Sequence, residues 1–416
     1  MLPVANSVLS EPRLEPAGAG PAIVVSLGNR RRVWVVLVCW TVIWGLLAAE
    51  GGAYSWHYFD LGARLITHPG VAGGLHVYAS HPELQIGPLA LLAAVPISAW
   101  GGAVMAQFLL TGCGLLLLKA VADLRGRLAG VAVRPMLLLF TGMLTLPVWC
   151  QVASHFTHLD DALALAFCVA AVAAVAADRP YLAAVALAAS IDSKPWALGF
   201  VVLLLVLPRE RRVRAAALTG AGVAVAWLPF LVADPRTLQL GRFRIDNVDD
   251  SALRALGVQA ANTPSWDRPA QLLLGVAVAA VCVARGRWSA VPLAVVTSRL
   301  LLDPETYAYY SSGLLVATAV VDLLRPARRL PLWTAAATAW FLLDRYCSGL
   351  LPPEGLGLLR AAYCLTVLAV LVGAPRRGAP WAPTVGRPST TRAWLRSAAP
   401  ECDSGARLPA RAPRTR

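Results

Sequence analysis

Long apolar runs separated by short arginine clusters recur between residues 33 and 372, and they constrain the fold more than any other feature. The hydrocarbon core of a bilayer is about 30 Å thick, so a helix needs about 20 mainly apolar residues to cross it. The runs are continuous and do not alternate apolar with polar residues, as the strands of an outer-membrane barrel do. The sequence therefore predicts an all-α fold, that of a polytopic helical membrane protein.

The composition excludes most soluble classes of protein. Of 416 residues, 57% are hydrophobic and only 14% are charged, whereas about a quarter of the residues of a soluble domain are charged. A soluble dinucleotide-binding enzyme, a collagenous chain and a disulfide scaffold are therefore ruled out. The eight cysteines include no CxxC pair, so neither a zinc site nor thioredoxin-type redox chemistry is indicated.

The formal net charge of +14 comes almost entirely from arginine, because Lys119 and Lys194 are the only lysines. A basic chain can bind nucleic acid, but these arginines lie in short clusters between apolar runs and in the C-terminal tail. That distribution is typical of the positive-inside rule, by which basic loops of a membrane protein stay in the cytoplasm. We expect a plasma-membrane protein without a nucleic-acid partner.

Placing the arginine clusters inside predicts about twelve transmembrane crossings, with both termini in the cytoplasm. The short run over residues 86–100 contains two prolines. It is not expected to cross, because crossing would place the basic segment 119–134 outside. The arginines before the first apolar run could also belong to a signal peptide, but the many spans that follow favour an uncleaved first span.

Three regions follow from this topology. The sequence predicts a disordered N-terminus over residues 1–29, a transmembrane domain over residues 30–374 and a disordered tail over residues 375–416, because both ends are rich in proline and poor in large apolar residues. Two long polar segments, residues 50–83 and 234–268, are predicted to be outer loops. All the histidines fall on this outer side, namely His57, His68, His76, His81, His155 and His158.

An aromatic segment just after the first span leads to a lone carboxylate, Asp60. Tyrosine and tryptophan favour the depth of the lipid headgroups. A partly desolvated carboxylate at that depth can act as a base toward a hydroxyl. Asp60 can equally cap a helix or pair with Arg64, four residues later.

A second cluster, His155, His158, Asp160 and Asp161, stands at the outer start of a span. Aspartates at a helix start often only cap the helix and interact with its dipole. Two histidines and two aspartates could also bind a metal ion, but the spacing lacks a further anchor, so we predict no metal site.

Lys194 lies between two half-length apolar segments, after Asp192 and before Trp196. Broken helices expose backbone groups and helix ends at membrane depth, where an anion can bind. Lys194 is therefore a candidate for binding a lipid phosphate. A snorkelling lysine paired with Asp192 is the alternative.

A fourth group joins Arg299 to the segment that contains Asp303, Glu305 and Tyr307. Aromatic rings beside carboxylates suit a sugar ring, but they equally suit an interfacial aromatic belt. No P-loop, GxSxG, HExxH or dinucleotide fingerprint stands in a supporting context, so soluble nucleotide chemistry is not predicted.

Taken in order, these segments resemble the GT-C superfamily of polytopic glycosyltransferases, in particular the actinobacterial polyprenyl-phosphate-mannose-dependent mannosyltransferases. The similarity covers roughly residues 33–372. It is carried by Asp60, the Gly87-Pro88-Leu89-Ala90 segment, the His-x-Asp turn before a span, the Lys194-Pro195-Trp196-Ala197-Leu198 stretch and, less specifically, the turn at Asp303. The chain departs from the family at Asp160-Asp161, where the family usually has a single aspartate.

The resemblance implies a reaction on the outer face of the membrane. A sugar, with mannose as the first choice, passes with inversion from a polyprenyl-phosphate donor to a hydroxyl of a glycolipid or glycan acceptor. Asp60 would be the base, and Lys194, Arg299 or arginines of the segment 234–268 would bind the leaving phosphate. No cofactor and no metal are expected. The other candidates for substrate contact are His57, Glu83, His158, Asp160, Asp161, Trp196, Glu305 and Tyr307.

A multi-pass transporter or lipid flippase is the alternative, because broken helices and intramembrane Asp and Lys residues occur there too. Transporters often contain two-fold internal repeats, and the sequence has no second copy of the regions around Asp60 and Lys194. A non-catalytic scaffold of an envelope complex would be expected to lack the first-loop aspartate. An enzyme is therefore favoured.

Overall fold

The computed structural model describes residues 22–68, 70, 72–325, 329–346 and 348–374, with side chains from residue 30 onward. These residues are mainly helical, and the only extended pairing among them is an isolated bridge between Asp246 and Asn262. The predicted all-α fold is therefore confirmed. The helices are α1 (Ala22–Ala49), α2 (Trp56–Thr67), α3 (Val77–Ser80), α4 (Pro88–Trp100), α5 (Gly102–Ala129), α6 (Pro135–Cys150), α7 (Leu159–Ala176), α8 (Pro180–Ser193), α9 (Arg209–Ala233), α10 (Ala252–Ala255), α11 (Asp267–Ala284), α12 (Val291–Leu302), α13 (Tyr310–Leu324), α14 (Leu332–Tyr346) and α15 (Pro353–Gly373).

Among the described residues, seven helices are long and apolar enough to cross a membrane, judged by length and composition. They are α1 from Arg30 onward, α5, α6 with the π-helix Gln151–His155 that continues it, α7, α9, α11 and α15. Five further apolar segments contain 10–17 residues, and a helix of that length spans only about 15 to 26 Å of a core about 30 Å thick. The chain is a helical membrane protein, and its total number of crossings stays a prediction.

The predicted domain boundaries need one correction at the N-terminus. Helix α1 begins at Ala22, before the arginine cluster, so residues 22–29 are helical rather than disordered. Apolar residues dominate positions 22–27 and no proline follows Pro21 there, so nothing stops the helix from extending toward the N-terminus. The predictions for residues 1–21 and 375–416 fall outside the described residues.

The helices differ in how much of their surface is buried. Every residue of α13 from Ser311 to Leu324 is buried, so α13 runs through the centre of the bundle. In α9 the buried residues are Ala215, Thr219 and Phe230, and large apolar side chains cover much of its outer surface. Exposed apolar side chains are expected in lipid, which is as apolar as leucine, so α9 lies at the periphery.

Arginines cap helices at one end of the bundle. Arg125 donates to the carbonyl oxygen of Leu323, 3.1 Å away, and Arg285 donates to the carbonyls that end α15. Arg30 pairs with Asp123 of α5 at 3.3 Å. Cations compensate the free carbonyls and the dipole at a helix C-terminus. The basic clusters therefore gather at one end of the bundle, and which side of the membrane that end faces stays a prediction.

The opposite end contains the irregular segments. After the π-helix Gln151–His155, Thr157 has a φ of 53°, a left-handed conformation that a β-branched residue rarely adopts. The backbone there turns sharply into α7. Strained backbone of this kind is characteristic of functional sites, and here it immediately precedes His158 and the first turn of α7.

Helix α4 packs against the end of α8 through Gly87. The amide of Gly87 donates to the carbonyl of Ser193 at 3.0 Å, and a Cβ atom at residue 87 would lie 2.0 Å from the carbonyl oxygen of Asp192. Only glycine permits this approach. The contact holds the chain just before Lys194, after which the 3₁₀ helix Pro195–Val206 begins. A 3₁₀ run of that length is uncommon and is often found where a helix is interrupted at a functional site.

Candidate functional site

A cavity of about 930 Å³ lies at the irregular end of the bundle. Its walls come from α2, α9, α11, α12, the 3₁₀ helix Pro195–Val206 and the segments 237–245 and 303–310. One part of the wall is apolar and includes Leu198, Val223, Trp227, Leu231, Leu240 and Phe243. The other part is charged and aromatic and includes His158, Lys194, Trp196, Arg268, Arg299, Asp303, Tyr309 and Tyr310.

A buried ionic cluster forms the charged part of this wall. Lys194 pairs with Asp160, whose second oxygen lies 2.6 Å from Nδ1 of His158. The indole of Trp196 donates to Asp161 at 2.8 Å, and Arg299 pairs with the same carboxylate at 3.3 Å. The structure therefore brings together six of the residues that the sequence singled out: His158, Asp160, Asp161, Lys194, Trp196 and Arg299.

Three helix ends position these side chains. Asp160 and Asp161 belong to the first turn of α7, where the helix dipole favours carboxylates. Lys194 is the residue at which α8 ends, and Arg299 lies in the last turn of α12. The pairing of Lys194 with Asp160 contradicts the alternative in which Lys194 pairs with Asp192, because the end of α8 turns its lysine toward α7.

Two aromatic rings contact the guanidinium group of Arg299. The ring centres of Trp196 and Tyr310 lie 4.7 and 4.4 Å from its central carbon, within the range of a cation–π contact. Its Nε atom lies 3.3 Å from Asp303. Burial raises the pKa of Asp303, although Arg299 opposes that effect.

The charges in the cluster nearly balance. Asp160, Asp161 and Asp303 face the basic groups of Lys194 and Arg299, and His158 supplies a third cation when it is protonated. Burial alone disfavours the charged imidazole, but the contacts with Asp160 and Asp161 outweigh burial and raise the pKa of His158 above 6.5.

His158, Asp160 and Asp161 could hold a metal ion, because each offers a ligand atom and these atoms lie within 4.8 Å of one another. The ammonium group of Lys194 already neutralises Asp160, so a metal ion would compete with it for that carboxylate. His155 is not part of this group, and its ring packs against Phe156 with the centres 4.7 Å apart. The absence of a metal requirement stays a prediction.

Asp60 lies beside the cavity but is not part of its wall. Its neighbours Tyr58 and Phe59 line the cavity, while the Asp60 carboxylate pairs with Arg64 at 3.0 Å. The predicted i,i+4 pair is therefore present. His57 is exposed and bonds to the carbonyl oxygen of Tyr54 at 2.9 Å, so it does not join the cluster.

The remaining predicted residues lie at the edge of the cavity. Glu83 and Tyr307 line it; Glu83 lies 3.0 Å from the His81 ring, and the Tyr307 ring stacks on Tyr309 with the centres 5.4 Å apart. Glu305 is half-buried and is not part of the wall. Burial raises the pKa of Glu305.

The structure places three further residues in this wall. Sequence reasoning included Tyr309 only as a member of the aromatic segment after Asp303 and Arg268 only as one of the arginines of the segment 234–268, and it did not name Gln85. Tyr309 stacks on His158 with the ring centres 4.1 Å apart. Gln85 and Arg268 line the cavity and bond to each other, Oε1 to Nη2, at 3.0 Å. Arg268 ends the segment 234–268, which is predicted to be an outer loop although it contains arginines. Arginines in an outer loop depart from the positive-inside rule, and this departure is the sequence signal that could have identified Arg268.

No known protein-family model matches this chain. No curated protein matches it either.

Proposed function

We propose that this protein is a membrane glycosyltransferase that moves a sugar, with mannose as the first choice, from a polyprenyl-phosphate donor to a glycolipid or glycan acceptor. The observation that carries the proposal is the division of one cavity into an apolar wall and a wall of cations, carboxylates and aromatic rings. A lipid-linked phosphate sugar has matching parts: an apolar chain, an anionic phosphate and a hydroxyl-bearing ring.

The two walls correspond to different parts of such a donor. Trp227 and Leu231 belong to the peripheral helix α9, so the apolar wall is next to the lipid and suits the isoprenoid chain. Lys194 and Arg299 can stabilise the charge that develops on the leaving phosphate. Buried carboxylates orient both cations, so little side-chain rearrangement is needed when the charge develops.

Asp60 is the proposed base of the reaction. The acceptor hydroxyl attacks the anomeric carbon, its proton passes to Asp60, and the bond between the sugar and the phosphate oxygen breaks, so that the lipid phosphate leaves. Asp60 follows Tyr58 and Phe59 in the first turns of α2, and the pair with Arg64 orients its carboxylate. A direct displacement of this kind inverts the configuration of the sugar.

The proposed topology has about twelve crossings, with both termini in the cytoplasm and the protein in the plasma membrane. The short apolar helices other than α4 would then cross in the interior of the bundle, where neighbouring helices cover their ends. Helix α13 supports this arrangement, because it is short but buried along its whole length from Ser311. The arginine caps at one end of the bundle support a cytoplasmic assignment of that end.

The test is an assay of the purified full chain in vesicles with polyprenyl-phosphate-mannose, labelled in the sugar, and a lipid extract from the source cells as acceptor. We expect label in a glycolipid and release of polyprenyl phosphate in equal amounts. The same vesicles are assayed for movement of the labelled donor between leaflets. Movement of the lipid without sugar transfer would contradict the enzyme and favour the flippase.

A further inference from the structure

Three cations line the cavity, and they differ in how their charges are compensated. Lys194 pairs with Asp160, and Arg299 pairs with Asp161 and Asp303. Among the described residues, no carboxylate lies within salt-bridge distance of Arg268. Arg268 is therefore the cavity cation that forms no salt bridge among the described residues, and Asp267 and Asp303 act on it only over a longer distance.

The Arg268 guanidinium is nevertheless held firmly in place. Its Nη2 atom donates to Oε1 of Gln85 and to the carbonyl oxygen of Phe243, each at 3.0 Å. Both partners are neutral, and they come from different segments of the chain, one before α4 and one before α10. An arginine that is oriented by neutral oxygens keeps its full positive charge and can offer its remaining N–H groups to a ligand.

A second donor stands beside Arg268. The Nε2 atom of Gln85 is buried and donates to none of the described residues, although the Oε1 atom of the same amide accepts from Arg268. A buried donor without an acceptor costs about 1–3 kcal/mol, so an acceptor supplied by a ligand would recover that energy. An acceptor that approaches both groups would meet a cation and an amide together.

The charges around Arg268 indicate which chemical class of acceptor fits this position. Arg268 and Arg299 repel one another electrostatically, and an anion bound near both would relieve the repulsion. Asp267 and Asp303 attract Arg268 electrostatically, but among the described residues neither carboxylate lies close enough to form a salt bridge with it. Guanidinium and amide donors suit the oxygens of a phosphate group.

We propose that Arg268, assisted by the amide of Gln85, binds the phosphate of a lipid-linked phosphate in this cavity. The inference rests on the proposed function, and it adds Arg268 to Lys194 and Arg299 as a cation that compensates the phosphate charge. Of the arginines at positions 236, 242, 244, 254 and 268, Arg268 is the one that lines the cavity.

The test measures binding of two lipids to the purified full chain, polyprenyl phosphate and the corresponding polyprenol, which lacks the phosphate. We expect the wild type to bind the phosphate lipid more tightly, and Arg268→Gln to reduce that affinity about 10- to 100-fold, the range of a charged hydrogen bond. Binding of polyprenol should not change. Arg244→Gln is the matched control, because Arg244 is exposed in the same segment and is not part of the wall.

A second variant and a second ligand test whether the charge of Arg268, and not only its structural role, is needed for binding. Arg268→Lys keeps the charge and should retain part of the preference for the phosphate lipid, and inorganic phosphate should compete only weakly because it lacks the chain. A full preference in Arg268→Gln, or an equal loss of polyprenol binding, would overturn the role of Arg268. Inorganic phosphate that binds as tightly as the lipid would overturn the lipid assignment. A wild type without any preference for the phosphate lipid would instead overturn the proposed function.

Discussion

Asp60 is the residue on which the proposed reaction depends most directly. We expect Asp60→Asn to lower the rate of sugar transfer about 10²- to 10⁴-fold, because the amide cannot accept the hydroxyl proton. That loss corresponds to about 3 to 5 kcal/mol in the barrier. Folding should change little, because the Asp60–Arg64 pair is largely exposed on the arginine side and such pairs contribute about 0.3 to 0.5 kcal/mol.

Rates and thermal unfolding of the purified variant are the measurements for Asp60. Glu83→Gln is the control, since Glu83 is a carboxylate at the edge of the same cavity and should give a milder loss. Normal transfer by Asp60→Asn would reduce Asp60 to a structural partner of Arg64 and would remove the proposed base.

Lys194 and Lys119, the only lysines of the chain, form a natural pair for comparison. Removing one partner of a buried ion pair costs about 3–5 kcal/mol, because the other charge stays buried without compensation. Lys194→Ala should therefore destabilise the protein strongly and weaken use of the lipid-linked donor more than use of the acceptor.

Lys119→Ala should have an effect below about 1 kcal/mol, because Lys119 and its partner Asp123 are exposed. Denaturation curves and the Michaelis constants for the two substrates measure these effects. An Asp160→Asn change added to Lys194→Ala should recover part of the lost stability, since it removes the uncompensated carboxylate. Equal losses toward both substrates would contradict a role of Lys194 at the donor.

His158 should make the stability of the protein depend on pH. Its pKa is raised in the folded state by Asp160 and Asp161, which outweigh burial, while in the unfolded chain a histidine has a pKa of about 6.5. A raised pKa in the folded state means that the stabilisation is complete below pH 6.5 and is lost as the pH rises through the folded value.

The difference in melting temperature between the wild type and His158→Gln should thus be largest below about pH 6.5 and should shrink at higher pH. Thermal unfolding over a pH series measures this. His68→Gln is the control, because His68 is exposed and lies outside the cluster. A difference that stays constant across the series would show that His158 contributes through packing alone.

At the scale of elements, Arg360 of α15 joins segments that are far apart in the chain. It pairs with Asp344 of α14 at 2.7 Å and with Asp250 at 2.8 Å. Asp250 also accepts from Thr306 at 3.3 Å, in the turn that carries Tyr307 into the cavity. The Arg360 cluster therefore fixes the segment before α10 against the wall of the site.

Arg360→Gln should loosen this segment, because two carboxylates lose their shared cation. Amide hydrogen exchange over residues 246–262 and the 303–309 turn should become faster, and the stability should fall by up to about 3–5 kcal/mol, the cost of breaking a buried pair. Arg254→Gln is the control, since its partner Asp249 is exposed and surface pairs contribute at most about 1 kcal/mol. Unchanged exchange in Arg360→Gln would contradict the positioning role.

In the molecule as a whole, the basic clusters and the cavity lie at opposite ends of the bundle. The arginine caps lie at one end, while the cavity, the ionic cluster and the irregular backbone lie at the other. If the positive-inside rule holds here, the cavity faces outward and the basic segment 119–134 faces the cytoplasm.

Cysteine labelling of intact cells measures that orientation. A membrane-impermeant reagent should not label Gly126→Cys but should label Gln259→Cys, which lies in an exposed part of the segment 234–268. Residue 126 tolerates the substitution, because a Cβ atom there meets no other atom within 4 Å. Labelling at residue 126 from outside would invert the topology and place the cavity in the cytoplasm.

Local patterns in the sequence predict the class of fold and the positions of the long helices. Apolar run length and proline position are local properties, so α6 begins at Pro135 and ends at Cys150, where the apolar run itself ends. The sequence also singled out Lys194, Arg299 and the aspartates of α7, because charges inside apolar surroundings are costly and therefore conspicuous.

Which charged side chains form ion pairs depends on the tertiary structure. Lys194 pairs with Asp160, 34 residues away, rather than with Asp192, and Arg299 reaches Asp161 across 138 residues. Asp60 pairs with Arg64 and is not part of the cavity wall, while Arg268 lies in the wall and forms no salt bridge with any of the described residues. Ion pairing depends on separations of a few ångströms, which the packing of distant helices sets and which no local pattern of residues encodes.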